Sequence, residues 1–234
     1  MNPKENVLEI RNLVKEFPGV RANDDISFDI KKNTVHCLVG ENGSGKSTLI
    51  KILTGVYTRT SGEIFLNGEE HLPQNPRDAM EKGISTLFQE LNVVDQLTVE
   101  ENLTLGLEET KFGFLRKTEK ISRMVDVMRS IEPSIDPKVK VSTLSVAQKQ
   151  IVVIAKAVAT ESNIIIMDEP TAAISESEIA RLFSIIKKLR ENEVTVIYIS
   201  HRLDEIFELG DYVTVLRDGK HIDTKPVADV GNRS

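Results

Sequence analysis

GENGSGKST, Gly40 to Thr48, lies between the apolar run VHCLV, residues 35 to 39, and STLIKILTG, whose apolar residues recur at helical spacing up to Gly55. The order is buried strand, glycine-rich loop, helix. The loop fits the pattern G-x-x-x-x-G-K-[ST] in the setting its chemistry needs. Gly40, Gly43 and Gly45 let the backbone around Glu41, Asn42 and Ser44 wrap closely enough for N–H groups to cradle phosphates. Lys46 adds positive charge for the outer phosphates, Ser47 a hydroxyl for Mg2+, and Thr48 completes a helix start that favours an anion.

Such a loop needs a second half, and NIIIMDEP supplies one. Its apolar residues place Asp168 at the carboxyl end of a central strand, where it can hold Mg2+, usually through water. Glu169, one residue on, points elsewhere and is placed to orient or deprotonate a water attacking a terminal phosphate. His201 follows the buried run VTVIYIS and emerges at the same edge of the sheet. Gln89 ends the run ISTLF, where a neutral amide can sense Mg2+ or water without adding charge.

Around this centre the chain alternates apolar strands with helices, which predicts a parallel sheet covered on both faces. The first ~35 residues alternate apolar and polar, as antiparallel strands with one packed face do. Asn67-Gly68 and Asp218-Gly219 are hairpin signals. Asn75, Pro76 and Gly83 bound a short helix, and Thr98 to Glu101 and Ser175 to Glu178 are capping boxes. Ile121, Met124, Val125 and Met128 fall on one helical face, and residues ~90–145 read as a helical subdomain. LSVAQKQ, Leu144 to Gln150, reads as the start of a buried helix capped by Thr143 or Ser145.

The 234 residues suffice for one full core and a small satellite. A composition of 40% hydrophobic and 28% charged residues with net charge −6 is that of a soluble globular protein and offers no basic field for nucleic acid. The single cysteine, Cys37, cannot form an internal disulfide and reads as a small core residue. The N-terminus lacks a positive flank followed by an apolar run, and no stretch approaches the ~18 apolar residues of a membrane span. A role at a membrane is thus expected to come through a partner.

Taken in order, GENGSGKST, LFQE, LSVAQKQ, IIIMDEP and ISH closely resemble the ATP-binding subunit of ABC transporters, over nearly all of residues 5 to 220. The resemblance implies an α/β P-loop, RecA-like ATPase core with an antiparallel β subdomain and an α-helical subdomain, all within one ATP-binding domain, residues 1–234. It puts Gln89 on the Q-loop glutamine, Leu144 to Gln148 on the signature motif, Thr171 to Ser175 on the D-loop and His201 on the switch histidine. Phe17, in VKEFPGV, falls on the aromatic that stacks on adenine. Catalysis would rest on Glu169, His201 and Gln89, and Mg2+ on Ser47, Asp168 and Gln89.

EFPGV and LFQELNVVDQLTVEENLTLG look most like bacterial importers of ribose, xylose or galactose. In those proteins two ATPase units usually share a chain, so a single copy of each motif implies either the N-terminal half of a longer protein or a single-unit relative. The implied partners are membrane permease subunits, a second ATP-binding unit and, indirectly, a substrate-binding protein, at the cytoplasmic face of the membrane. Val146 and Ala147 replace the usual paired glycines of the signature. A helix start is already right-handed, so its N–H groups stay available and Ser145 and Gln148 keep their polar groups towards a partner's nucleotide. The rival expectations are a soluble ATPase acting on ribosomes or DNA, which would need a basic arm, and a regulatory nucleotide-binding subunit with little turnover.

Overall fold

NVLEIRNLVKEF and VRANDDISFDIK place apolar side chains on one face, and they form two long antiparallel strands, β1 (Asn6–Phe17) and β2 (Val20–Lys31). The computed structural model describes residues 5–87, 93–105, 110–111, 114–115, 119–159, 162–172 and 175–230. β3 (Val35–Val39) then runs into the glycine-rich loop and α1 (Lys46–Leu53). β4 (Ser61–Leu66) pairs with the free edge of β1, and β5 (Glu69–Glu70) completes a sheet of order β2-β1-β4-β5. Asn67 and Gly68 join β4 to β5 with φ of 52° and 85°, the two positive angles a tight mirror-image turn requires.

The chain continues through α2 (Pro76–Glu81), capped by Asn75, to β6 (Ile84–Leu87). α3 (Val99–Thr104) begins at the expected capping box of Thr98 and Glu101, and α4 (Glu119–Ile131) buries Met124 and Met128. Between them a short pair of strands, β7 (Thr110–Lys111) and β8 (Phe114–Leu115), adds to the helical reading of this segment. Two-residue strands carry no detectable periodicity, which is why the pattern missed them.

α5 (Val146–Ala159), β9 (Ile164–Asp168), α6 (Glu176–Glu191), β10 (Thr195–Ile199), α7 (Leu203–Leu209), β11 (Tyr212–Arg217) and β12 (Lys220–Pro226) follow. The second sheet has the order β12-β11-β3-β10-β9-β6. β11, β3, β10, β9 and β6 are parallel, and β12 runs antiparallel at one edge through the Asp218-Gly219 turn.

Apolar runs without alternation are explained by two cores on opposite faces of this sheet. Ile165 and Met167 of β9 join a core with α5 and α6, while Ile164 and Ile166 join the other with α1, β1, β2 and β4. Tyr198 and Ile197 of β10 divide in the same way. Each such side chain contributes about 1.5–3 kcal/mol on burial, so a polar residue anywhere in IIIM weakens one core or the other. Among the described residues no helix is long and apolar enough to cross a membrane.

Candidate phosphate-binding site

Parallel strands end at one edge, and β3, β10 and β9 are neighbours, so the loops after them share that edge. The loop after β3 is bent by Gly40, Gly43 and Gly45, with φ of 159°, 83° and 98°. A β-carbon on Gly45 would lie 2.6 Å from the carbonyl oxygen of Ala22 and 2.5 Å from Asn23 Nδ2. The loop is thus pressed against β2, where Asn23 donates to Gly45 O at 3.1 Å. The first bond of α1 runs from Leu49 N to Gly45 O, so the N–H groups of Gly45, Lys46, Ser47 and Thr48 stay outside the helix ladder. Four unengaged donors at a helix start form a receptor for an anion.

Lys46 Nζ donates to the carbonyl oxygens of Gly40 at 2.6 Å and Glu41 at 2.9 Å, and to Ser44 Oγ at 3.4 Å. Burial lowers its pKa, opposed by the charges of Glu169 and Asp168. Asp168, half-buried at the end of β9, is pushed up by burial and then by Glu169, with Lys46 opposing. The three side chains therefore act on one another electrostatically, although they come from two strands separated by a third.

These groups line one cleft of about 700 Å³. It is lined by Val20 to Ala22, Asn42 to Thr48, Asp168, Glu169 and the Asp218-Gly219 turn. Gly40 and Glu41 meet it through the carbonyls that hold Lys46. Among the described residues no three His, Cys, Asp or Glu side chains converge as a metal cluster. Ser47 and Asp168 nonetheless both line the cleft. Two hard oxygen donors, with room for water and phosphate oxygens, suit Mg2+.

Glu169 has a φ of 47°, a left-handed angle uncommon outside glycine. Its N–H donates to Ile199 O and its carbonyl accepts from Ala172 N. Its Oε1 lies 3.2 Å from Nδ1 of His201. A carboxylate only accepts, so this contact puts a proton on Nδ1. The base of the His201 segment is held from within: Glu205, 1% exposed, accepts from Tyr198 Oη at 2.8 Å and Ser200 Oγ at 2.7 Å and pairs with Arg202.

Three sequence-predicted residues lie apart from the cleft. Phe17, at the end of β1, packs edge-on against Tyr57 at 5.2 Å, with the Lys15 ammonium 4.8 Å from its ring. Ser145 and Gln148 cap α5 reciprocally, Gln148 N donating to Ser145 Oγ at 3.3 Å and Ser145 N to Gln148 Oε1 at 3.0 Å. Ser145, not Thr143, is therefore the cap; Thr143 donates its hydroxyl to Lys140 O. Gln89 lies outside the described residues. Asn23, Gln150 and Glu205 have no motif of their own, and only their contacts place them around this edge.

A profile of the ABC transporter family matches residues 23–172, from β2 through the acids after β9. A galactose/methyl galactoside import ATP-binding protein of Clostridium perfringens (strain SM101 / Type A) is 46% identical over 98% of this chain and 45% of its own length. One of the same description from Fusobacterium nucleatum is 45% identical over 96% of this chain and 45% of that protein. The chain spans less than half the length of these curated relatives. A solved ATP-binding cassette of an ABC transporter in its ADP conformation superposes with a TM-score of 0.86 at 27% identity, over 96% of this chain and 94% of that one. A dimeric cassette in a post-hydrolysis state with ADP and Pi gives 0.75 at 25% identity, over 94% and 98%. With the loop, the acids and the sheet order in agreement, the chain belongs to the ABC transporter family.

Proposed function

We propose that the chain binds ATP with Mg2+ in this cleft and hydrolyses it to ADP and phosphate, powering import of a monosaccharide of the galactose or ribose type. The observation that carries the reading is the convergence of Lys46, Asp168 and Glu169 on one cleft, with His201 on Glu169. The N–H groups of Gly45 to Thr48 and the Lys46 ammonium hold the β- and γ-phosphates. Ser47 and Asp168 would hold Mg2+, which would supply charge neutralisation for the phosphates. Glu169 orients the attacking water and takes up its proton, and His201, protonated on Nδ1, fixes the carboxylate and senses the terminal phosphate. By the family resemblance Gln89 would sense the metal and the water, and Phe17 would stack on the base.

Ser145 and Gln148 do not line the cleft and begin α5 outside it, which supports a role for the α5 start at the nucleotide of a second ATP-binding unit, in the same chain or a partner. The relatives' length and import names favour a two-unit protein, of which residues 1–234 form one ATP-binding domain, acting at the cytoplasmic face with permease subunits and, indirectly, a substrate-binding protein. The test is Glu169→Gln. Calorimetric titration is expected to show ATP binding within about two-fold of the unsubstituted chain, while turnover falls by about 100-fold or more. Hydrolysis at the unsubstituted rate would remove Glu169 from the assigned role.

A further inference from the structure

Gln150 sits in the second turn of α5, 8% exposed, with its side chain crossing to the segment that follows Glu169. Its Nε2 donates to the carbonyl oxygen of Pro170 at 2.7 Å. A carbonyl only accepts, so the amide nitrogen must face it, and the amide's orientation is settled. The other end of the amide, Oε1, is buried with no hydrogen-bond partner. A methionine of similar length would fill this space without stranding an oxygen, so packing does not account for an amide here. What the amide supplies is the hold on Pro170.

That hold acts on a backbone that needs one. Glu169 carries a φ of 47°, and the proline after it has no N–H to pair. Two bonds fix the segment from other sides, Glu169 N to Ile199 O at 3.0 Å and Ala172 N to Glu169 O at 3.2 Å. Gln150 adds the only side-chain hydrogen bond to Pro170 O among the described residues, and it comes from the helix that Ser145 and Gln148 begin. The link therefore joins the first turns of α5 to the carboxylate that contacts His201.

We infer that Gln150 is a positioning residue that fixes the backbone beneath Glu169, and through it couples the start of α5 to the aim of that carboxylate. The inference rests on Glu169 being the water-orienting group. Loss of the bond releases Pro170 O and lets Glu169 relax towards ordinary backbone angles, displacing its carboxylate while leaving Lys46 and the loop donors in place. Turnover falls and nucleotide affinity does not.

The experiment compares Gln150→Met, Gln150→Glu and Glu169→Gln in the purified chain, by single-turnover hydrolysis of ATP with Mg2+ and by ATP titration. Gln150→Met is expected to lower the rate by about 10- to 100-fold, the scale of a catalytic group misplaced by about 1 Å, with affinity within about two-fold. In Gln150→Glu an ionised carboxylate repels Pro170 O, whereas a protonated one donates to it. Its rate relative to the unsubstituted chain is therefore expected to recover as pH falls from about 9 to 6, because burial raises the carboxyl pKa. A merely structural side chain would show no such recovery, and this arm stands if Gln150→Met fails to fold. An unsubstituted rate in Gln150→Met, or a Gln150→Glu rate that tracks the unsubstituted chain at every pH, overturns the inference. If Glu169→Gln also keeps its rate, the underlying reading of Glu169 has failed as well; if Glu169→Gln is inactive, only the coupling has.

Discussion

Gly45→Ala separates crowding from backbone strain in the phosphate loop. Gly45 has a φ of 98°, where a β-carbon costs about 1–2 kcal/mol. That carbon would also lie 2.6 Å from Ala22 O and 2.5 Å from Asn23 Nδ2, where ordinary contact begins near 3.4 Å, so the loop must retreat from β2 by about 0.8 Å. Retreat stretches the bond from Asn23 to Gly45 O, and Asn23 is wholly buried with its Oδ1 already unpartnered. Stranding its amide costs a further ~1–3 kcal/mol. The expected loss is about 2–5 kcal/mol, read as a lower urea midpoint at unchanged slope. The same retreat moves the donors of Gly45 and Lys46, and losing one or two bonds to a charged phosphate weakens ATP binding by about 10- to 100-fold in calorimetric titration. Gly43→Ala is the control, since Gly43 shares a positive φ of 83° but a β-carbon there meets nothing within 4 Å; it should cost about 1 kcal/mol. Equal effects at the two positions, or unsubstituted stability and affinity in Gly45→Ala, would refute the argument from close approach.

Three more outcomes follow from buried or half-buried ionisable groups. Asp168 has its pKa raised in the folded chain, so folding takes up a proton and the ionised carboxylate costs stability above that pKa; Asp168→Asn should raise the unfolding temperature at neutral pH while weakening Mg2+-dependent ATP binding. Glu205→Ala should cost about 3–5 kcal/mol by urea denaturation, because Arg202, Tyr198 and Ser200 lose a shared buried acceptor; Glu205→Gln should cost less. His36, wholly buried between the rings of Phe28 and Tyr212, is pushed down to about 3, chiefly by burial. Its folded pKa lies below the unfolded 6.5, so stability present above 6.5 is lost as pH falls towards 3, at up to about 1.4 kcal/mol per pH unit. His36→Phe should flatten that part of the urea-midpoint profile, and an unchanged profile would discharge His36 from the effect.

The fold was legible where the chain repeats a simple geometric instruction. VHCLV, IIIMD and TVIYI each run into a polar group at a strand end, and parallel pairing brings those ends to one edge. Lys46, Asp168, Glu169 and His201 could thus be grouped before any contact was known. Asn67-Gly68, Asp218-Gly219 and the capping boxes were legible because their signals are local. Gln150 and Asn23 were not, since a lone amide in a helix or strand looks the same whether it meets water or a carbonyl twenty residues away. Glu205 lies in the first turn of α7, where an acid in the sequence signals no inward partner, and only the fold shows that Tyr198 and Ser200 draw it inward. The paired strands at 110–111 and 114–115 escaped because two residues span a single period of a strand pattern and show no repeat.

Lys46 is tied to Gly40 O and Glu41 O by the loop's own backbone. A lysine side chain free in water gives up as much as about 2 kcal/mol of rotamer freedom when fixed. Here that ordering has taken place during folding, so the arriving phosphate exchanges partners with a side chain that is already near its post. Nucleotide capture by this loop is thereby relieved of an entropic penalty, and its temperature dependence should carry more of the phosphate's own desolvation than of any search by the lysine.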